Sequence, residues 1–220
     1  MDHRVRGNVS GEVTLKDFHK NARLSGQVSI NTLRVATTAY SSGLITARID
    51  EHAFTGSIRL DQPDGYAEAN VTFGTSWGKK LAPTADDSQP TDLTLKARAF
   101  RLAAVLPFVE RIFSELDGRV EADAHVHSEK GVAPRMDGLI TLRDGVFETP
   151  AIGEEFHHAQ GRITINPNGT ILVENVSANG VTGRFAAAGS ARMDGLKFVA
   201  ARAALRIPQR QPLPLSINGQ

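Results

Sequence analysis

Apolar and polar residues alternate with period two along most of this chain, which is the signature of half-buried β-strands. Val5, Gly7, Val9, Gly11, Val13 and Leu15 share one face, opposite Arg6, Asn8, Ser10, Glu12, Thr14 and Lys16. The pattern recurs as Leu24, Gly26, Val28 and Ile30, as Ala67, Ala69, Val71 and Phe73, and as Leu93, Leu95, Ala97 and Ala99. After Gly118 it resumes with Val120, Ala122, Ala124 and Val126, and later with Val181, Gly183, Phe185, Ala187, Gly189, Ala191 and Met193. Each run predicts a strand with one wet and one apolar face. Asp64-Gly65, Asp144-Gly145 and Asn168-Gly169 lie between apolar runs and supply the positive φ that tight hairpins need, so antiparallel neighbours are expected. Arg135-Met136-Asp137-Gly138-Leu139 returns as Arg192-Met193-Asp194-Gly195-Leu196, which suggests a sheet that grows by similar units.

Two stretches break the alternation. Residues 79–91 are polar and proline-bearing and read as a loop. Residues 101–116 carry Leu102, Leu106, Val109, Ile112, Phe113 and Leu116 at helical spacing, opposite Glu110, Arg111, Ser114 and Glu115. This predicts one short amphipathic helix, kinked or restarted at Pro107, packed by those apolar residues on the apolar face of the sheet. The resulting division is a first group of strands over 4–78, the loop, a strand over 92–99, the helix, and a second group over 118–220.

From the pattern alone, one-sided strands can close into a sandwich or present an open apolar groove. Small inner residues such as Gly7, Gly11, Ala187 and Gly189 fit either, because they let two walls approach or leave room for acyl chains. Composition narrows the function classes. The formal charge of +1 over 220 residues, with no basic clusters, gives no reason to expect nucleic acid. No run of about 18 apolar residues is present, so no transmembrane helix is expected in this sequence. Cysteine is absent, which excludes thiol and disulfide chemistry.

Catalytic motifs are missing: there is no GxSxG, HExxH or P-loop pattern. Asp123, His125 and His127 alternate on one strand, but H-x-H on a solvated face is mostly plain polarity, and no firm third ligand follows. Trp77 and the two tyrosines are scattered and form no stacking platform. A non-enzymatic protein without cofactor or metal is expected. Both ends fall inside alternating runs, so we read the sequence as a segment of a longer chain.

Several stretches resemble a known family. They are Phe100-Arg101-Leu102, Leu116-Asp117-Gly118-Arg119-Val120-Glu121-Ala122, and Pro134-Arg135-Met136-Asp137-Gly138-Leu139 through Asp144-Gly145-Val146-Phe147. Ile152-Gly153, residues 163–172 and Gly180-Val181-Thr182-Gly183-Arg184-Phe185 continue the series. In this order they are similar to the TamB-like proteins of the AsmA-like group of Gram-negative bacteria, related to bridge-like lipid transfer proteins. The resemblance covers most of residues 91–220.

It implies an all-β fold, a curved, mostly antiparallel sheet bent into a taco-shaped trough with an apolar concave face. The lining would include Val9, Val13, Val28, Ile30, Val71, Phe73, Leu95, Val120, Val126, Phe185 and Met193. It further implies a periplasmic location, an inner-membrane anchor outside this segment, and an Omp85-type (TamA-like) outer-membrane barrel as partner. The implied activity is a hydrophobic conduit for phospholipid acyl chains between the two membranes, contributing to outer-membrane biogenesis. The alternative is a scaffold for assembly of outer-membrane or autotransporter barrels, acting through strand edges near 5–15 and 205–218.

Overall fold

The computed structural model describes residues 5–17, 23–35, 38–50, 52–77, 83–150, 153–181, 183–195 and 197–207. The alternating runs become strands β1 (Val5–Lys16), β2 (Arg23–Val35), β3 (Thr38–Ala39), β4 (Ser42–Ile49), β5 (Ala53–Gln62), β6 (Gly65–Trp77) and β7 (Pro83–Ala85). They continue as β8 (Thr91–Arg101), β9 (Glu115–Ser128), β10 (Arg135–Thr149), β11 (Glu154–Ile165), β12 (Thr170–Asn179), β13 (Arg184–Asp194) and β14 (Lys197–Arg206). All fourteen belong to one sheet, in the order β1-β2-β4-β5-β6-β8-β9-β10-β11-β12-β13-β14, with β3 on β2 and β7 on β6. Every ladder is antiparallel. Two-residue turns suffice where Gln62 pairs with Gly65 across Pro63 and Asp64. At the β11–β12 turn, Gly169 has φ +79, and a Cβ there would lie 2.4 Å from the Met193 carbonyl oxygen, so only glycine fits.

The structure corrects the expected trough. The sheet is not closed, β1 and β14 stay apart as its two edges, and it is not strongly curled. The ladders from β2 through β4, β5 and β6 to β8 run without a bulge, so nothing bends those strands sharply. Alternation decides which face is apolar; it leaves curvature to bulges.

The expected helix is also corrected. Residues 101–116 form a 3-10 turn at Leu102–Ala104, one α-helical turn at Leu106–Val109, and then the start of β9. Pro107 near the start of that turn lacks an amide, and neither turn has a side-chain cap, so a longer helix gains no support. Leu116 sits in β9 opposite Phe147, and Ile112 is 61% exposed, so neither packs a helix on the sheet. Ala104 and Val105 make the contact instead, joining Leu33, Tyr40, Ala97, Phe100 and Ala122 in a cluster at one end of the apolar face. A second cluster gathers Phe156, Ala159 and Ala178 with Leu142, Phe147 and Phe185.

Other expectations shift as well. Residues 83–85 of the predicted loop form β7, and residues 79–82 lie outside the described residues. Asp144-Gly145 is no hairpin but a bulge inside β10, where Asp144 has φ +49. The two echo copies differ: Gly138 lies within β10, whereas Gly195 makes the β13–β14 turn with φ +57.

Candidate functional site

Directly paired residues in an antiparallel ladder share a face, so the registers trace rows across the sheet. One row runs Val9, Ile30, Gly43, Leu60, Ala67, Ala97, Ala122, Ile140, Ile163, Val173, Gly189 and Ala203. The next runs Gly11, Val28, Ile45, Ile58, Ala69, Leu95, Ala124, Gly138, Ile165, Ile171, Ala191 and Ala201. No polar side chain interrupts either row from β1 to β14. At about 4.8 Å per strand, twelve strands make a strip roughly 55 Å long.

All eleven residues named as lining lie on this face. Val9, Val13, Val28 and Ile30 stand on β1 and β2; Val71, Phe73 and Leu95 on β6 and β8; Val120 and Val126 on β9; Phe185 and Met193 on β13. Val120 and Phe185 also pack into the two clusters, and Met193 is buried. Of the residues expected on a helix, Leu102, Leu106 and Val109 are half-buried around the two turns, and Phe113 meets Phe147 edge to face at 6.2 Å. Ile45 and Ile58 belong to the face but were not anticipated; the alternation Ile45, Ala47, Ile49 carried the signal.

Between the clusters the apolar face has no cover among the described residues. Ile45, Ile58, Leu93 and Leu95 are each 38–40% exposed in mid-sheet. Two shallow apolar depressions lie on the strip. One of about 240 Å³ is lined by Ile45, Phe54, Ile58, Ala69, Val71 and Leu93, with Phe54 stacked on Phe73 at 4.7 Å. The other, about 190 Å³, is lined by Ile140, Leu142, Phe147, Ile163, Val173 and Phe185. Small residues at Ala97, Ala122 and Ala124 lower the floor between them.

The opposite face is a ladder of charges. Arg59 donates to Asp61 at 2.9 Å and Glu68 at 3.0 Å, and lies 4.1 Å over the Tyr66 ring. Burial would raise the Asp61 carboxyl, but bonds from Arg59 and Ser42 outweigh it and hold it below the usual aspartate value. Glu68 is held low chiefly by the Asn70 amide, with help from Arg59. Asp92 accepts from both His127 (2.7 Å) and His125 (3.2 Å) on one oxygen, and the His127 bond is the main reason its carboxyl is lowered. The two histidines thus converge on a carboxylate, yet among the described residues no group of three or more His, Cys, Asp or Glu could hold a metal ion.

No family model, no curated protein and no solved structure matches the chain. Among the described residues, no helix is long and apolar enough to cross a membrane.

Proposed function

We propose that the apolar face is a non-enzymatic surface for phospholipid acyl chains, serving lipid transport between inner and outer membrane and so outer-membrane biogenesis. In this reading the protein works in the periplasm, anchored in the inner membrane through sequence beyond this segment and meeting an Omp85-type barrel at the far side. The observation that supports it is the pair of uninterrupted apolar rows, with Ile45, Ile58 and Leu95 exposed in mid-sheet. Each methylene removed from water on that strip gains about 0.8 kcal/mol, whereas a headgroup sealed away without partners costs several. An open face takes the tails and leaves headgroups in water. Neighbouring positions along a row are chemically alike, so a chain can move from strand to strand without leaving a deep well.

The test is a photocrosslinker at Val28, Leu95 or Val126 in the full-length protein in cells, with Lys96 on the opposite face as control. Phospholipid adducts at the first three and none at Lys96 are expected. Lipid-free apolar positions, with the crosslinker incorporated and exposed, would refute the reading. A second reading, a scaffold for barrel assembly, draws on the exposed edge strand β14. Adducts to nascent barrel proteins at β14, with none to lipid on the face, would favour it.

A further inference from the structure

The connection from β8 to β9 lies over the apolar face between its two depressions. The first depression is walled by β4, β5, β6 and Leu93, the second by β10, β11, β12 and β13, so β8 and β9 separate them. Within the first row, Ala97 on β8 and Ala122 on β9 are buried in one cluster with Ala104 of the connection. Leu95, in the neighbouring row, is 40% exposed. Near its far end the connection sets Phe113 edge-on to Phe147, a wall of the second depression. Residues 102–113 therefore form a strap over the strip where the two depressions would otherwise join.

Little burial holds the strap down. Of its described side chains Ala104 alone is buried, Ile112 is 61% exposed, and neither of its two turns has a side-chain cap. The backbone bonds from Val105 to Leu102, and from Ile112 and Phe113 to Val109, are internal to it and travel with it. Its ends, by contrast, are fixed to the sheet. Gln62 accepts the Arg101 amide at 2.7 Å at the entry, and the Ser114 amide donates to the Glu148 carbonyl at 3.0 Å at the exit. One carboxylate links the two sides: Asp117 accepts Arg101 Nη2 at 2.6 Å, Arg101 Nε at 2.9 Å and the Gly118 amide at 2.8 Å. Burial would raise the Asp117 carboxyl, but the Arg101 guanidinium and the Gly118 and Ala103 amides outweigh it and hold it below the usual aspartate range. A segment with few buried apolar contacts between two anchored ends opens locally at less cost than the whole sheet unfolds.

We infer that residues 102–113 are a strap, buckled by the Asp117–Arg101 pair, that lifts off the apolar face as a unit while the sheet stays folded and joins the two depressions into one path. The lifting stands on the strap's own contacts; that an acyl chain occupies the joined path rests on the function proposed above. An occupant that needs both depressions binds only the open form, so its apparent affinity scales with the open fraction.

The chain has no cysteine, so Ala104→Cys reports lifting of the strap, and Ala178→Cys, buried in the second cluster, reports opening of the sheet. Maleimide labelling is followed in rising urea below the unfolding transition, with circular dichroism confirming the fold of each variant. The first thiol should react through an opening almost independent of urea, the second through one as steep as global unfolding. Asp117→Asn should speed the first reaction roughly tenfold, the weight of one hydrogen-bonded charge pair. Arg101→Lys, which keeps the charge and loses the paired contact, should act in the same direction. Equal urea slopes for the two thiols would overturn the strap, and an unchanged rate in both buckle variants would overturn the buckle. cis-Parinaric acid, a fluorescent acyl chain, then tests what enters. Asp117→Asn should bind it roughly tenfold more tightly than the parent, and the acid should speed labelling at position 104. Equal binding by both proteins would overturn the joined path. Binding by neither would overturn the acyl-chain reading and leave the strap standing on its labelling.

Discussion

Phe156 is the test of where this sheet keeps its core. It is 2% exposed, stacked on Phe147 at 5.0 Å and edge-on to Phe185 at 5.3 Å. A buried aromatic ring removes on the order of 200 Å² from water. At about 25 cal/mol per Å² that is roughly 5 kcal/mol, an upper bound because the unfolded chain already hides part of it. Ring-pair geometry adds about 0.5–1.5 kcal/mol per contact. The site adjoins the depression lined by Leu142, Phe147 and Phe185, so neighbours have room to close on a cavity and reduce its cost. Phe156→Ala should therefore destabilise by about 3 kcal/mol, the low end of the Phe→Ala range. Ile112→Ala is the matched control: at 61% exposure it should change stability by less than about 0.5 kcal/mol. Urea unfolding followed by far-ultraviolet circular dichroism measures both. Trp77, the sole tryptophan, sits in β6 away from Phe156, and its fluorescence reports whether the other half of the sheet unfolds in the same transition. A cost under about 1 kcal/mol for Phe156→Ala, or one over about 2 kcal/mol for Ile112→Ala, would refute this placement of the core.

Gly138 faces the β9 backbone so closely that a Cβ would lie 2.8 Å from Ala124 Cβ and 2.9 Å from the Asp123 carbonyl oxygen. Gly138→Ala should cost about 1–3 kcal/mol and lower Tm in a thermal scan. Gln62 is buried and its Oε1 accepts the Arg101 amide at 2.7 Å; Gln62→Ala strands that amide and should cost about 1–3 kcal/mol in urea. The lowered carboxyl of Asp92 stabilises the fold above the unfolded aspartate value of about 3.9, a contribution lost as pH falls through the lower folded value. The stability gap between the protein and Asp92→Asn, followed by urea midpoints, should shrink as pH falls below about 4; a gap that widens over that range would contradict the bond geometry.

Much of the strand order was legible because most turns are short and alternation is strong. Val71 and Phe73 could be assigned to the apolar face without knowing their neighbours. What alternation hid was its own change of phase. In β8 the face passes from Ala97 to Phe100 across Ala99 (φ +46), so Ala99 does not continue the row as expected. In β10 it passes from Leu142 to Gly145 across Asp144, and in β12 from Val173 to Val176 across Asn175 (φ +53). Each extra residue flips the parity, and Asp and Asn tolerate the left-handed region that this needs. Asp144-Gly145 read as a hairpin for that reason: the same dipeptide serves a turn or a bulge, and only the partner strand decides. The helix failed differently. Leu102, Leu106 and Val109 fit a helical period, but spacing carried no information about Pro107 acting on so short a segment, nor about Leu116 finding Phe147 across a ladder.

These bulges explain how an open sheet keeps one face apolar throughout. From β8 to β12 the irregularities cluster toward the same end of the strands, near the row Phe100, Val120, Leu142, Gly161 and Val176. Because adjacent strands slip phase at neighbouring positions, Leu142 and Gly145, Gly161 and Ala159, and Val173 and Val176 remain on one side. A slip in β10 or β11 alone would have turned Phe156 or Phe147 toward the charge ladder. Instead those three rings meet and form the densest packing of the second cluster. The consequence is a division of labour along each strand. The bulged end is sealed by aromatic side chains and the 3-10 turn, while the regular middle, rich in glycine and alanine, stays flat and uncovered. A single sheet normally buries its apolar face against a second layer; here the described residues supply that layer only at the clusters. The open middle is thus the part of the fold with the most to gain from an apolar occupant, because Ile45, Ile58, Leu93 and Leu95 stay 38–40% exposed there.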